Sequence, residues 1–205
     1  MLPLKIILRD YHRFNFTRNK INTVQDLSIW KLPFFSLEDR INHLKKVENW
    51  LINNKKNKHN YVSIKPLEEK GIILSENYTE SLLKEIDSKQ IIRLFTLFNK
   101  KKHLPEKLDF DFKFLTNIIS LKTYCNFSFL LLKEYEQTKN PQFLNTSLKI
   151  NDFLLHCQIE SNNGKLNGAI TDFFPCYYKS FHITAETNKL FAENLKKELF
   201  FLNSL

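Results

Sequence analysis

Residues 110–158 read FDFKFLTNIISLKTYCNFSFLLLKEYEQTKNPQFLNTSLKINDFLLHCQ, and this stretch decides the fold class. From Phe110 to Tyr135 apolar residues occur around nearly the whole circumference of a helix, as is typical of a helix buried by its neighbours. Residues 142–158 again carry apolar side chains at helical spacing. Because only the short turn Gln137–Pro141 separates the two segments, we expect an antiparallel helix pair.

A capping signature precedes this pair in the first quarter of the chain. Ser36 is followed three residues later by Asp39, a pattern typical of a helix N-terminus. The apolar residues that continue it at helical spacing are Ile41, Leu44, Val47, Trp50 and Leu51. The spacing predicts a helix over residues 37–53.

Two further helices are predicted from the same periodicity. One starts near Ser75 or Asn77 and either runs on as a single long helix or breaks near Asp87 and Ser88. Its end is predicted at three consecutive lysines followed by Pro105. The last helix is predicted from Ile183 to Phe201.

The composition supports an all-α fold built from antiparallel helix pairs. Only 3 of the 205 residues are glycine, whereas sandwiches and doubly wound sheets use glycine at turns and bulges. The 19 phenylalanines supply apolar surface for a core. We expect one domain over 1–205, with an irregular arm or short extended segment over 1–35 and a helix-pair array over 36–205.

The N-terminus and the cysteines indicate a cytoplasmic protein. The apolar run from Leu2 to Leu8 is interrupted by Lys5 and is too short for a secretory signal. No run approaches the roughly 18 uninterrupted apolar residues of a membrane span, so we do not expect an integral membrane protein. The three cysteines lack paired spacing, which favours reduced thiols over disulfides or a zinc knuckle.

The net charge of +9 is carried by the first half of the chain. Residues 1–103 hold 20 of the 31 basic residues and 11 of the 22 acidic ones, whereas residues 104–205 are balanced. Such asymmetry can mark an anionic partner, whether nucleic acid, a membrane surface or a phosphorylated ligand. The alternative, which the bias toward Asn, Lys and Ile throughout the chain favours, is an AT-rich genome that raises the lysine content without any partner.

Two amphipathic segments suggest an internal repeat. Four residues of the first align with four of the second at a constant offset of 103, namely Lys46, Val47, Trp50 and Leu51 with Lys149, Ile150, Phe153 and Leu154. A polar loop and then another helix are predicted after each segment. The pattern predicts stacked helix pairs.

The second copy resembles the QW-type repeat of the terpenoid cyclase and protein prenyltransferase superfamily. The positions that fit are Lys149, Phe153, Leu154, Gln158 and Gly164. Ile150 stands where a small residue is usual, and Leu166 where the repeat has Trp. The resemblance implies an α/α toroid that holds its ligand in a central apolar cavity, shortened here to an arc or partial toroid. An ordinary helical array is the alternative.

Two carboxylates precede the predicted buried helix at Asp109 and Asp111. Class II terpenoid cyclases similarly use an acidic cluster in which one Asp, kept protonated by its neighbours, protonates an alkene. In this chain the last position of that cluster is Phe112. The resemblance therefore suggests Asp109 or Asp111 as a catalytic acid, while a helix-capping role is the alternative.

The segment from Asp172 to Glu186 is the densest mixture of polar and aromatic residues in the chain. Its candidate ligand-binding residues are Asp172, Cys176, Tyr177 and Tyr178, and its candidate catalytic residues are His182 and Glu186. Asp, Cys and His are the residue types that ligate zinc in prenyltransferases, but the spacing here differs, so no metal site is predicted. A thiol activated by His182 is a further alternative.

Nucleic acid is the other candidate ligand, and no cofactor is specified by the sequence. Phosphate-binding, hydrolase and metalloprotease motifs such as GxxxxGKS, GxGxxG, GxSxG and HExxH do not occur. The candidate nucleic-acid-binding residues are Lys55, Lys56, Lys58, Lys100, Lys101 and Lys102. They lie in loops or at helix ends, with Trp50 or Tyr61 available for stacking, and the alternative is that they are ordinary solvated surface lysines.

Two functions follow from these residues. The first is a toroid-like helical domain that binds an apolar or mixed ligand in an aromatic-lined cavity near residues 109–112 and 172–186, as in an isoprenoid cyclase or transferase. The second is a non-catalytic helical scaffold that binds nucleic acid or a protein through its basic first half.

Overall fold

The computed structural model describes residues 32–54, 72–73, 87–105, 107–108, 113, 119–160, 166–174 and 183–204. The helices in these ranges are α1 (Leu37–Asn54), α2 (Ser88–Lys101), α3 (Leu121–Thr138), α4 (Pro141–His156) and α5 (Ala185–Leu202). The strands are β1 (Ile72–Ile73), β2 (Lys107–Leu108), β3 (Ile119–Ser120) and β4 (Phe173–Phe174). Each of these strands has two residues, and they form two separate pairs, β1 with β2 and β3 with β4. Because the helices make up most of the described structure, the predicted all-α fold is confirmed.

Three helices form close to where periodicity predicts them. The predictions over 37–53, 142–158 and 183–201 correspond to α1, α4 and α5 to within two residues at each end. The other long helix differs at its start, because α3 begins only at Leu121 and the two residues before it belong to β3. Residues 110–112 and 114–118 of that prediction lie outside the described ranges.

The helices begin at side-chain caps that satisfy their first free amides. The predicted cap of α1 is confirmed, since Asp39 N donates to Ser36 Oγ at 3.1 Å and Ser36 N donates to Asp39 Oδ2 at 3.3 Å. Asp87 caps α2 in the same reciprocal way with Gln90. A helix therefore starts at Ser88, one of the two positions at which the sequence suggests a break.

The turn between α3 and α4 makes them an antiparallel hairpin. Lys139 ends α3 in the left-handed conformation, with φ 56°, and its N–H donates to Tyr135 O. Asn140 then caps α4, whose first residue is Pro141. A glycine usually occupies the left-handed position, but this glycine-poor chain uses lysine there and again at Lys102.

The core lies between the α3–α4 hairpin and α5, with α1 against α5 and α2 against α3. Phe98, Phe127, Phe153 and Phe191 are among its largest fully buried side chains. Trp50 lies apart from them, in a smaller cluster with Ile159 and Ala169. Trp50 and Phe153, aligned in the suggested repeat, therefore do not share equivalent surroundings. No described helix is both long and apolar enough to cross a bilayer.

The loop after α4 returns to α1 through a close backbone approach at Gly168. Its φ is +92°, and a Cβ added there would lie 2.4 Å from Lys46 O, so this position requires glycine. The fully buried Gln158 bridges the same parts of the chain, since its Nε2 donates to Gly168 O at 2.7 Å and to His43 O at 3.1 Å. Gln158, one of the positions matching the QW pattern, therefore links α1 to this loop by hydrogen bonds.

The left-handed cap at Lys139 leads to a prediction about stability. We expect Lys139→Gly to be more stable than Lys139→Ala by about 1 kcal/mol, because only Ala has a Cβ that opposes a positive φ. Both variants lose the contact of the Lys139 ammonium with the Tyr135 ring, so the difference in their stability reports only the cost of the positive φ. Urea denaturation of the two proteins measures the difference, and equal midpoints would contradict the left-handed cap.

Candidate functional site

Most of the predicted site residues lie outside the described ranges. They are Asp109, Asp111, Cys176, Tyr177, Tyr178 and His182, together with Lys55, Lys56 and Lys58. Their assignments stay predictions. The described residues of the predicted sites are Asp172, Glu186 and the three lysines at the end of α2.

Asp172 and Glu186 both connect the start of α5 to the start of α3. The Asp172 carboxylate accepts from Thr184 Oγ1 at 2.8 Å, while its backbone oxygen accepts from Leu121 N at 2.8 Å. Glu186 pairs with Lys122 at 3.0 Å and is 40% exposed. Each carboxylate therefore has a structural partner that accounts for its position.

The strand pair β3–β4 lies at this same end of α3. Ile119 is opposite Phe174 and Ser120 is opposite Phe173, in an antiparallel register. Residues 109–112 precede β3 along the chain, and residues 175–182 follow β4 directly. The pairing therefore involves a strand that directly precedes the aromatic segment and a strand that begins seven residues after Phe112, the last residue of the acidic segment.

The described interior contains a buried charge cluster that was not predicted from the sequence. Arg40 of α1 donates through its two terminal nitrogens to Asp152 of α4 and to Glu198 of α5. All three side chains are at most 3% exposed. One guanidinium thus links three helices from distant parts of the chain, and we call Arg40, Asp152 and Glu198 the charge cluster.

Uncharged side chains extend the charge cluster toward α3. Asn151 donates to the second oxygen of Glu198, and its own oxygen accepts from Ser128 Oγ at 2.8 Å. The Ser128 hydroxyl also contacts that of Ser147 at 2.7 Å. These bonds satisfy both Glu198 oxygens, which reduces the cost of burying that carboxylate.

Burial dominates the electrostatics of the two carboxyl groups. It raises the pKa of Asp152 to about 6 and the pKa of Glu198 to about 7, and the neighbouring Arg40 opposes both rises. Asp152 Oδ2 is a buried oxygen that has no hydrogen-bond partner among the described residues. Two buried carboxyl groups that share one guanidinium therefore bind protons more tightly than exposed carboxyl groups do.

The helical spacing of the sequence indicates that Arg40, Asn151 and Asp152 occupy buried positions. The buried positions of α1 are Arg40, His43, Val47 and Trp50, so a charged residue shares the register of the apolar face. Asn151 and Asp152 likewise interrupt the apolar run of α4. A charge at a core position of an amphipathic helix indicates a buried partner, although not which residue supplies it.

The described cysteines and metal-ligating side chains do not form a reactive centre. Cys125 and Cys157 are buried free thiols, and burial raises the pKa of Cys125. Within the ranges that the structure covers, no group of three His, Cys, Asp or Glu side chains is arranged to hold a metal ion. Cys176 lies outside these ranges.

The outer face of α2 carries a line of exposed cations formed by Lys89, Arg93 and Lys100, which we call the basic line. At 3.6 residues per turn, these positions fall within about 40° of one another and span about 16 Å. The buried side chains of α2 face the other way and are Ile91, Leu94 and Phe98. Lys101 and Lys102, also exposed, continue the charge at the C-terminal end of the helix.

Trp50 is not available to stack on a nucleic-acid base, contrary to the sequence-based suggestion. Its side chain is only 6% exposed because it packs against Ile159 and Ala169. The alternative stacking residue, Tyr61, lies outside the described residues.

Comparisons with known proteins give no relative for this arrangement. No protein-family model, no curated protein and no solved structure matches the chain.

The charge cluster predicts a large loss of stability on removal of Arg40. We expect Arg40→Met to lower the free energy of unfolding at pH 7 by about 3–5 kcal/mol, because two buried carboxyl groups lose their shared cation. The matched control is Lys46→Met on the same helix, which breaks a half-exposed pair with Glu160 and costs less than about 1 kcal/mol. Equal losses in urea denaturation would show that the charge cluster is not a major stabilising contact.

Proposed function

We propose that this chain is a helical scaffold that binds nucleic acid through the basic line of α2. The observation that carries the proposal is the alignment of Lys89, Arg93 and Lys100 on the face opposite the buried side of the helix. Phosphates are the chemical partner of such a row, because neutralising them releases condensed counterions.

The charge on α2 differs from that on the other helices. Alone among the described helices, α2 has no acidic residue between its first and last positions. The lysines of α5 are instead matched by acids, since Lys196 lies 2.7 Å from Glu48 and Lys197 lies 2.7 Å from Glu136. Lys89, Lys100 and Lys101 make no ion pair with another described residue, which leaves them able to meet an external anion.

The aromatic side chains of α2 favour contacts to the phosphate backbone over contacts to bases. Phe95 packs on Phe143 with ring centroids 5.0 Å apart, and Phe98 packs on Phe127 at 5.4 Å. Base stacking needs an exposed ring, and these rings are used in the core. The proposed binding is therefore electrostatic and largely independent of nucleotide sequence.

This proposal predicts a salt-dependent affinity that falls with each lysine removed. For a labelled DNA duplex, the slope of log Kd against log salt concentration should be about 0.9 for each phosphate contact. Lys89→Ala and Lys100→Ala each remove one contact, so each variant should lower this slope by about 0.9. Fluorescence anisotropy over a salt series measures the slope.

The control for these variants is Lys189→Ala, which removes an exposed lysine from α5, four residues before Glu193. It should leave both the affinity and the slope unchanged. Binding that ignores added salt, or that responds equally to all three variants, would rule out the basic line as the contact surface.

A second candidate function is the binding of an apolar or mixed ligand beside β3 and β4, as in an isoprenoid-type cyclase or transferase. It is favoured by the antiparallel pairing of Ile119 with Phe174, because candidate segment 175–182 directly follows β4 and candidate segment 109–112 is separated from β3 by six residues in the sequence. Native mass spectrometry of the purified chain tests this candidate through a copurified small molecule, which the scaffold proposal does not require.

A further inference from the structure

The backbone just before α1 is attached to the charge cluster through Phe35. Phe35 N donates to Asp152 Oδ1 and Arg40 Nε donates to Phe35 O, both at 3.2 Å. The Phe35 ring packs on His43 and His156, with centroids 5.0 Å and 4.6 Å away. The start of α1 is therefore held by the same groups that form the charge cluster.

The Arg40 cation does not balance its two carboxyl partners when both of them are ionised. α1 supplies the Arg40 cation and the His43 imidazole, α4 supplies Asp152 and His156, and α5 supplies Glu198. From α3 comes the uncharged hydroxyl of Ser128, and from the loop after α4 the amide of Gln158. Among Arg40, Asp152 and Glu198, two buried carboxylates against one guanidinium leave one excess negative charge.

The hydrogen bonds indicate where a neutralising proton can reside. Both Glu198 oxygens accept a bond, one from Arg40 and one from Asn151. Asp152 Oδ1 also accepts two bonds, but Oδ2 is buried and accepts none from a described residue. An ionised oxygen in that position has no donor to stabilise it, so a proton there relieves the excess charge.

We propose that Arg40, Asp152 and Glu198 form a proton-controlled latch that holds residues 35–40 against α4 and α5. The latch is closed while one carboxyl group carries a proton. It is released when both carboxyl groups are ionised, because the lost hydration of two buried carboxylates and the repulsion between them then outweigh the attraction of the single Arg40 cation.

The direction of the pH dependence follows from the carboxyl groups. Burial raises the pKa of both above their usual values near 4, so the closed latch binds protons more tightly than the open one. The closed state is accordingly favoured fully below about pH 4 and loses stability as the pH rises through about 6 to 7. The equilibrium constant for opening the latch therefore rises with pH in this window, by up to roughly tenfold per pH unit for each carboxyl group.

Hydrogen exchange on the full chain tests the latch. The amides of Phe35 and Arg40 report its opening, and the amide of Lys139, bonded to Tyr135 O in the hairpin, reports on the rest of the fold. After correction for intrinsic exchange, the first two should open at least roughly tenfold more often at pH 7.5 than at pH 5.5, and Lys139 should change less. An opening constant that is the same at both pH values would overturn the proposal.

Conservative variants distinguish the carboxyl groups from other titrating side chains. Asp152→Asn or Glu198→Gln leaves one carboxylate for Arg40, so the pH dependence should shrink to less than roughly threefold. The matched control is Glu48→Gln, which removes a carboxylate that also joins α1 to α5, through Lys196, and should keep the full dependence. Full dependence in both cluster variants would assign it to the imidazoles and overturn the latch.

A titration of the wild-type chain covers the case in which a variant does not fold. Carboxyl carbon NMR signals of Asp152 and Glu198 should show at least one titration midpoint above pH 5.5. Midpoints for both groups below pH 4.5 would mean that no proton is held in the cluster near neutrality, and the proposal would fail.

Discussion

The ion pairs of Arg40 with Asp152 and Glu198 determine how three helices meet. Arg40 lies on α1, its partners lie on α4 and α5, and each pair joins residues more than 100 positions apart in the sequence. A buried cation needs anionic partners at hydrogen-bond distance, so α1 has few other positions in which Arg40 is satisfied. The charge cluster therefore fixes the orientation of α1, which apolar contacts alone specify less strictly.

The rest of the polar interior is arranged around this constraint. Asn151 and Ser128 complete the bonds of Glu198 toward α3, and Gln158 ties His43 of α1 to the loop at Gly168. These contacts leave few alternative pairings, because each donor meets a specific acceptor. α2 lies outside this network and packs on α3 through apolar side chains, which leaves its cationic face directed outward.

The scarcity of glycine also shapes the molecule. Two helices end with a lysine in the left-handed conformation, at Lys102 and Lys139, although such a position is sterically easier for glycine. Gly168 is retained where the backbone of the loop touches Lys46 O, and there no side chain fits. Strain is tolerated at exposed helix ends, whereas close backbone contact in the interior still requires the residue without a Cβ.

The sequence by itself determined the local structure. The Ser36–Asp39 cap, the turn before Pro141 and the apolar periods of α1, α4 and α5 each depend on residues a few positions apart, so they could be predicted from spacing. The basic lysines at the end of α2 could be predicted as candidate ligands of an anion for the same reason. Their alignment with Lys89 and Arg93 on one outward face depends on which side of α2 is buried.

Tertiary structure decided the features that join distant residues. Periodicity marks Arg40 as sharing the buried register of α1, but only the packed helices bring Asp152 and Glu198 to it. In the same way, residues 119–120, which periodicity places in a helix, form β3 and pair with β4 from far along the chain. Trp50 is buried for a comparable reason, since the loop after α4 covers it. Spacing encodes which face of a helix is buried, whereas the partner of that face is set by the fold as a whole.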